Sequence, residues 1–270
     1  MEPRDLAPST AIRLRPRASV LLALTSLIGI IAFCWPLLIH GHAGANLAHS
    51  VDAPWLFVAI LPLLLAVVLG EMAEGTLDAK AIALLGILAA CGAALRIPSP
   101  GVAGFEPVFF LLIPSGRVFG RGFGFVLGAI TIAASALITG GIGPWLPFQM
   151  FGAAWMGFGA GCLPPAQGRA ELTMLAAYAA VSAVVYGTLL NLWFWPFGAG
   201  TTTTFSFSPG AGGLANLHRF IFFDLTTSLG FDITRAVTNA TLVFLLGRPV
   251  LAALRRASRR AAFDALVVHV

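Results

Sequence analysis

Apolar segments of helix length recur along most of this sequence. A transmembrane helix needs about 20 apolar residues to cover the hydrocarbon layer of a bilayer. Eight segments reach or approach that length: 18–39, 54–70, 79–96, 105–115, 118–139, 147–163, 170–195 and 217–247. The fourth is too short to cross alone, so we expect a short or broken helix that is buried in protein. The eighth is long enough to tilt or to extend beyond the bilayer.

Composition indicates the same class of fold. The chain is 58% hydrophobic and only 10% charged, whereas soluble domains carry about 25% charged residues. So few charges exclude an ordinary cytosolic enzyme and a disordered regulator. The basic residues form no stripe that could face DNA, so nucleic-acid binding is also excluded. We therefore predict an all-α integral membrane protein.

The basic residues predict how the helices are oriented. If the N-terminus is inside, the outer loops hold only Arg96 and Arg219 of the 16 lysine and arginine residues. Arg235 lies within the last span, and the others fall on inner segments. Lys and Arg favour the cytoplasmic side of a membrane. The bias therefore predicts an even number of spans, with both termini inside.

The composition changes near residue 79 and suggests three parts. Residues 1–78 hold the cytoplasmic N-terminus and two plain apolar helices. Residues 79–250 form a six-helix core that is denser in Gly, Pro, Phe and Trp and holds the intramembrane polar groups. Residues 251–270 form a basic cytoplasmic tail, which anionic lipid of the inner leaflet would attract.

Polar residues near the outer ends of the core helices suggest a pocket that opens to the outside. Ionisable residues inside a membrane are costly and usually face a cavity or a partner. Asp232 and Arg235 are three residues apart and could neutralise each other as a structural ion pair. Alternatively, they could line a cavity that binds a polar solute. Trp195 could instead belong to an aromatic belt at the interface. The candidate substrate-binding residues are Arg96, Glu106, Trp145, Gln149, Asn191, Trp195, Asn216, Asp224, Asp232 and Arg235.

Signatures of metal sites and enzymes are weak or missing. The first outer loop, residues 40–53, contains His40, His42 and His49, but the spacing favours a solvated loop over a metal site. The sequence contains no HExxH, GxSxG or Walker A motif. We therefore predict no catalytic residues, metal or cofactor, and a chain that cannot power transport by itself.

The third apolar segment carries a stripe of small residues. Ala79, Ala83, Gly86, Ala90 and Ala94 recur at spacings of three and four, which places them on one helical face. Small side chains let membrane helices approach closely. This face would pack either within the same subunit or against another membrane subunit.

Several motifs of residues 79–250 resemble the substrate-binding S component of energy-coupling factor (ECF) vitamin transporters, in its actinobacterial form. A short second core helix begins E-P-V-F-F-L-L, and the turn S-G-R-V-F-G leads into a Gly-rich third helix. An outer G-P-W-L-P-F-Q turn opens the fourth helix, and the last helix carries D-I-T-R-A. The two N-terminal helices depart from the usual six-helix pattern of this family.

The resemblance implies a mechanism and partners. An S component of a bacterial plasma membrane binds a vitamin or vitamin precursor under its outer loops, which would be 97–104, 140–146 and 196–216. It then docks on a transmembrane coupling subunit that two ATPase subunits drive. The small-residue stripe would be the docking face. The alternatives are an intramembrane enzyme that uses Glu106, Asp224 or Asp232 as acid or base, and a membrane scaffold without cargo.

Overall fold

A computed structural model describes residues 16–38, 79–98, 102–198, 203–208 and 210–261. These residues form eight α-helices and one 3-10 turn, Val102–Gly104, with no strand among them. The helices are α1 (Pro16–Leu38), α2 (Ala79–Leu95), α3 (Val108–Phe119), α4 (Arg121–Thr139), α5 (Leu146–Cys162), α6 (Gly168–Gly198), α7 (Gly213–Thr227) and α8 (Leu229–Ala261). The predicted helix at 54–70 and the histidine-containing loop at 40–53 lie outside the described residues.

Four of these helices, α1, α4, α6 and α8, are long and apolar enough to cross a membrane. Helices α2 and α3 are apolar but shorter. The all-helical architecture that the sequence predicts is therefore confirmed for the described residues. It is consistent with a helical membrane protein.

Helix α3 is the central element of the fold. Eleven of its 12 residues are buried, and it packs against α2, α4, α5, α6 and α8. This confirms the expectation of a short helix buried in protein, since backbone that cannot reach water needs protein around it. Gly120, at φ 92°, allows the sharp turn that separates α3 from α4.

Helices α4 and α5 pack closely against each other. A Cβ atom at Gly124 would overlap the carbonyl oxygen of Gly157, and a Cβ at Gly157 would overlap that of Gly124. Only glycine at both positions permits this approach. Close contact of this kind stabilises helix association in a membrane, where the hydrophobic effect does not drive helices together.

The eighth predicted segment is not one helix. The structure divides it at Ser228 into α7 and α8, so this prediction is wrong. The hydroxyl groups of Thr226 and Thr227 donate to the carbonyls of Phe222 and Phe223, at 2.7 Å in each case. Such back-bonding hydroxyls bend or interrupt helices. As a result, α7 packs against α1 and α6, whereas α8 packs against α6 and α3.

Helix α1 joins the same hydrophobic core as the helices after residue 79. Phe33 is 1% exposed, and its ring lies 5.0 Å from that of Phe148 in an edge-on arrangement. The indole nitrogen of Trp155 donates to the Ser26 hydroxyl at 3.1 Å. Helix α1 therefore shares the core, and it covers parts of α5, α6 and α7.

Contacts between helix ends define two ends of the bundle. Lys80 at the start of α2 donates to the carbonyl of Ala261 at 3.2 Å. Arg117 near the end of α3 donates to the carbonyl of Leu163, just after α5, at 2.8 Å. The basic run Arg255–Arg260 lies within α8 at this end. Arg96 and Glu106 lie at the opposite end.

Candidate functional site

Four of the predicted site residues form one buried ionic network. Glu106 Oε1 lies 3.3 Å from Arg96 Nη2, and Glu106 Oε2 lies 3.0 Å from Arg235 Nε. Arg235 Nη1 also donates to Asp232 Oδ1 at 2.6 Å. We call Arg96, Glu106, Asp232 and Arg235 the Glu106 cluster. It joins the end of α2, the turn before α3 and the first two turns of α8.

The 3-10 turn before α3 brings Glu106 against α8. Gly104 has φ +79°, and a Cβ there would overlap the backbone carbonyl of Phe231. A residue with a side chain at this position would therefore push the turn away from α8. Pro107 follows Glu106 and precedes the first residue of α3.

Asn239 fixes the backbone around the cluster. Its amide nitrogen donates to the carbonyls of Glu106 at 3.0 Å and Arg235 at 2.9 Å. Its oxygen accepts from the backbone N–H of Phe110 at 2.8 Å. Asn239 is fully buried, so these bonds satisfy a side chain that would otherwise be costly to bury. It lies within the last predicted span, 217–247, but it is not among the residues that the sequence predicts for the site.

Helix α6 closes the other side of the cluster with two adjacent residues. A Cβ at Gly187 would overlap the Asp232 carboxylate, so glycine makes room for that side chain. The guanidinium of Arg235 lies over the ring of Tyr186, 5.4 Å from its centroid. That distance is within the range of a cation–π interaction.

Two further predicted residues form a pair next to the cluster. Asn191 donates to Asp224 Oδ1 at 2.7 Å, and Thr188 donates to Asp224 Oδ2 at 3.1 Å. Thr188 directly follows Gly187, so α6 contacts the Asp232 and Asp224 carboxylates with consecutive residues. We call Asn191 and Asp224 the Asp224 pair. This pair therefore lies next to the Glu106 cluster.

The other four predicted residues lie in different surroundings. Trp195 and Asn216 hold the segment before α7: Trp195 donates to the carbonyl of Phe205 at 2.7 Å, and Asn216 makes two bonds to the Ser208 backbone. Trp145 is 44% exposed and donates to the carbonyl of Gly141 at 3.1 Å. Gln149 is half-buried in the first turn of α5. The structure therefore does not bring all ten residues into one contact network.

A second buried ionic network lies at the opposite end of the bundle. Glu171 Oε1 accepts from Arg117 Nε at 3.0 Å and from Arg255 Nη2 at 2.7 Å. We call Arg117, Glu171 and Arg255 the Glu171 cluster. The sequence does not predict this cluster, because Arg117 and Arg255 stand out only as basic residues of inner segments. An acidic residue in the first turn of a helix, among those basic residues, is the signal that could have found it.

The Glu106 cluster balances two positive against two negative charges, and each of its residues is at most 8% exposed. Charges at such a depth are tolerated when they are paired, and in membrane proteins they commonly mark a functional site. Arg, carboxylate and amide groups at one end of a bundle can recognise a polar solute by directed hydrogen bonds. The described residues include no group of three His, Cys, Asp or Glu side chains that could hold a metal ion.

Comparisons of the chain with protein-family models, with curated proteins and with solved structures found no match.

Proposed function

We propose that this chain is the substrate-binding S component of an ECF-type importer. It captures a vitamin or vitamin precursor on the outer side of a bacterial plasma membrane. An ATP-driven coupling module, made of a transmembrane subunit and two ATPase subunits, then takes up the solute. The resemblance of residues 79–250 to that family supports this proposal, and the Glu106 cluster is the observation that carries it.

The cluster supports solute binding because its members come from distant parts of the sequence. Arg96, Glu106 and Arg235 meet although the first and the last are 139 positions apart in the sequence. A structural ion pair needs two partners, whereas here two guanidinium groups and two carboxylates converge beside the Asp224 pair. Convergence of this kind at one end of a bundle is typical of a binding site between helices.

Binding is favoured over acid–base catalysis by the state of Glu106. Both of its carboxylate oxygens accept hydrogen bonds or ion pairs from guanidinium groups. A general base needs an oxygen within hydrogen-bond reach of the substrate proton. Each oxygen of Glu106 is already paired with an arginine. Glu106 is therefore better placed to hold the two arginines in position than to transfer a proton.

The small-residue stripe of α2 supports docking to a second membrane subunit. Ala79, Ala83, Gly86, Ala90 and Ala94 are all exposed. The opposite face, which includes Ala81, Leu85 and Ala89, is buried against the rest of the chain. Among the described residues the stripe is therefore not used for packing, which leaves this face for a partner helix.

In this proposal both termini and the Glu171 cluster are on the cytoplasmic side. The Glu106 cluster then lies in the outer half of the membrane, under the outer loops. The six-helix core begins at α2, with α7 and α8 together taking the place of its last helix. Helix α1 with the segment at 54–70 forms the N-terminal addition. The bias of basic residues towards one side supports this orientation.

Purification of the protein and mass spectrometry of co-purifying small molecules test the proposal. We expect a vitamin-like solute and a rise in the unfolding temperature when it is added back, because a ligand that binds only the folded state stabilises it. Glu106→Gln should abolish this rise. Glu171→Gln is the matched control, since it removes a buried carboxylate at the opposite end and should keep the rise. Recovery of lipid alone, with no shift across a panel of vitamins, would contradict the proposal.

A further inference from the structure

Two polar groups of the site region are buried without a hydrogen-bond partner among the described residues: the Tyr186 hydroxyl and Arg96 Nε. Tyr186 is 2% exposed and Arg96 is 4% exposed. More than nine in ten buried polar groups in proteins are hydrogen-bonded. Thr131 Oγ1 and Trp193 Nε1 are also without a partner among the described residues, but only Tyr186 and Arg96 adjoin Glu106. These two therefore indicate donors that a further molecule satisfies.

Both groups belong to the surroundings of Glu106. Arg96 directs Nη2 to Glu106 Oε1, which leaves Nε unused. The ring of Tyr186 lies under the Arg235 guanidinium and meets Phe109 edge-on at 4.8 Å. Because Arg235 also pairs with Glu106 Oε2 at 3.0 Å, Tyr186 lies next to the Glu106 cluster.

The two unpartnered groups can both donate a hydrogen bond. Arg96 Nε carries a hydrogen and accepts nothing, and a tyrosine hydroxyl can donate. Both Glu106 oxygens are already engaged by guanidinium groups. Arg96 Nε can only donate, whereas the Tyr186 hydroxyl can donate or accept, so a ligand that satisfies both through one atom must offer an acceptor.

The charge balance limits the kind of acceptor. The two arginines and two carboxylates of the Glu106 cluster compensate each other, and Asp224 adds a further negative charge nearby. A ligand carboxylate would bring one more uncompensated negative charge to a buried place, which is costly. An uncharged carbonyl oxygen accepts the same hydrogen bonds without that cost.

We propose that the solute presents an uncharged carbonyl oxygen, such as that of an amide, lactam or ring carbonyl, to Arg96 Nε and the Tyr186 hydroxyl. This inference rests on the proposed function and names the chemical class that the same site selects. Tyr186 and Arg96 then determine specificity, while Glu106 and Asp232 hold the arginines in place.

Ligands that share a ring and differ only in one substituent test whether the site selects an uncharged carbonyl. The probes are pyridine, pyrimidine and pteridine rings, each carrying a carboxamide or ring carbonyl, a carboxylate, or an aminomethyl group. The readout is the dissociation constant for the full chain in detergent micelles, obtained from thermal shifts. We expect at least one carbonyl compound to bind at least about tenfold more tightly than its carboxylate and amine counterparts.

Tyr186→Phe removes the hydroxyl and keeps the ring that contacts Phe109 and Arg235. We expect about tenfold weaker binding of the carbonyl compound, equivalent to the loss of one hydrogen bond. The unfolding temperature without ligand should stay the same or rise, because the hydroxyl has no partner to lose. Tyr178→Phe is the control: its hydroxyl donates to the Met156 carbonyl at 2.8 Å, so it should lower stability and leave affinity unchanged.

The outcomes separate this inference from the proposed function. Preference for a carboxylate or an amine, or unchanged affinity in Tyr186→Phe, overturns the carbonyl inference while solute binding stands. A fall in ligand-free stability in Tyr186→Phe also overturns it, because the hydroxyl would then have a structural role. Binding of no probe, together with no co-purifying solute, overturns both.

Discussion

At the scale of single residues, Glu171 is the charge whose loss should be most costly at its end of the bundle. It is 2% exposed and accepts from Arg117, whose side chain is 5% exposed, and from Arg255, whose side chain is 43% exposed. Glu171→Gln leaves the buried Arg117 guanidinium uncompensated. We expect the free energy of unfolding to fall by about 3 kcal/mol, measured by denaturant titration in detergent micelles.

Arg255→Gln is the comparison for that prediction. It removes a half-exposed partner of Glu171 and leaves the Arg117–Glu171 pair in place. Exposed ion pairs contribute at most about 1 kcal/mol, so the loss should be clearly smaller. Equal losses in the two variants would mean that burial does not set the strength of this cluster.

Residue contacts that follow from local spacing could be predicted from the sequence, and long-range ones could not. The spacing of Asp232 and Arg235 indicated an ion pair, and the structure confirms it at 2.6 Å. Nothing local links Arg96 or Tyr186 to Arg235, because these contacts depend on how α2, α6 and α8 pack. The sequence marked Glu106 as unusual by its charge, but its two arginine partners needed the fold.

At the scale of elements, α2 has two faces with different roles. Its stripe of small residues is exposed, and a Cβ at Gly86 would meet nothing within 4 Å. If the stripe docks a coupling subunit, Ala90→Trp should lower uptake of the co-purified solute by about tenfold or more, because an indole holds two helix backbones apart. Binding of the solute to the isolated chain should not change.

Cys91→Trp is the matched control for Ala90→Trp. Cys91 is also exposed and adjacent in sequence, but it lies about 100° around the helix from Ala90. It should leave both uptake and binding intact. Loss of uptake in both variants would point to a general defect in insertion, and loss of binding in Ala90→Trp would place the stripe in internal packing.

Hydrophobic patterns predicted where most helices lie, but they did not predict the break between α7 and α8. The segment predicted at 118–139 is the helix Arg121–Thr139, and that predicted at 147–163 is Leu146–Cys162. Length and apolarity are enough to place such helices. The division at Ser228 was missed because hydropathy does not register the hydroxyl-to-carbonyl bonds of Thr226 and Thr227, which interrupt the backbone ladder.

At the scale of the whole molecule, two ionic clusters link the same three helices at opposite ends. The Glu106 cluster contacts α6 at Gly187 and joins the start of α3 to Arg235 of α8. The Glu171 cluster joins the end of α3 and the start of α6 to Arg255 of α8. Arg235 and Arg255 are separated by about 30 Å along α8 at 1.5 Å per residue, which matches the thickness of the hydrocarbon layer.

This spacing suits a chain whose charged clusters lie near the two faces of the membrane, and it makes the orientation testable. With Cys34, Cys91 and Cys162 replaced by Ala, His218→Cys and Arg256→Cys each provide one exposed thiol, at opposite ends of the bundle. A membrane-impermeant maleimide should label His218→Cys in intact cells. It should label Arg256→Cys only after permeabilisation, because the basic residues of α8 favour the cytoplasmic side. The reverse pattern would place the Glu106 cluster towards the cytoplasm, where it could not capture a solute from outside.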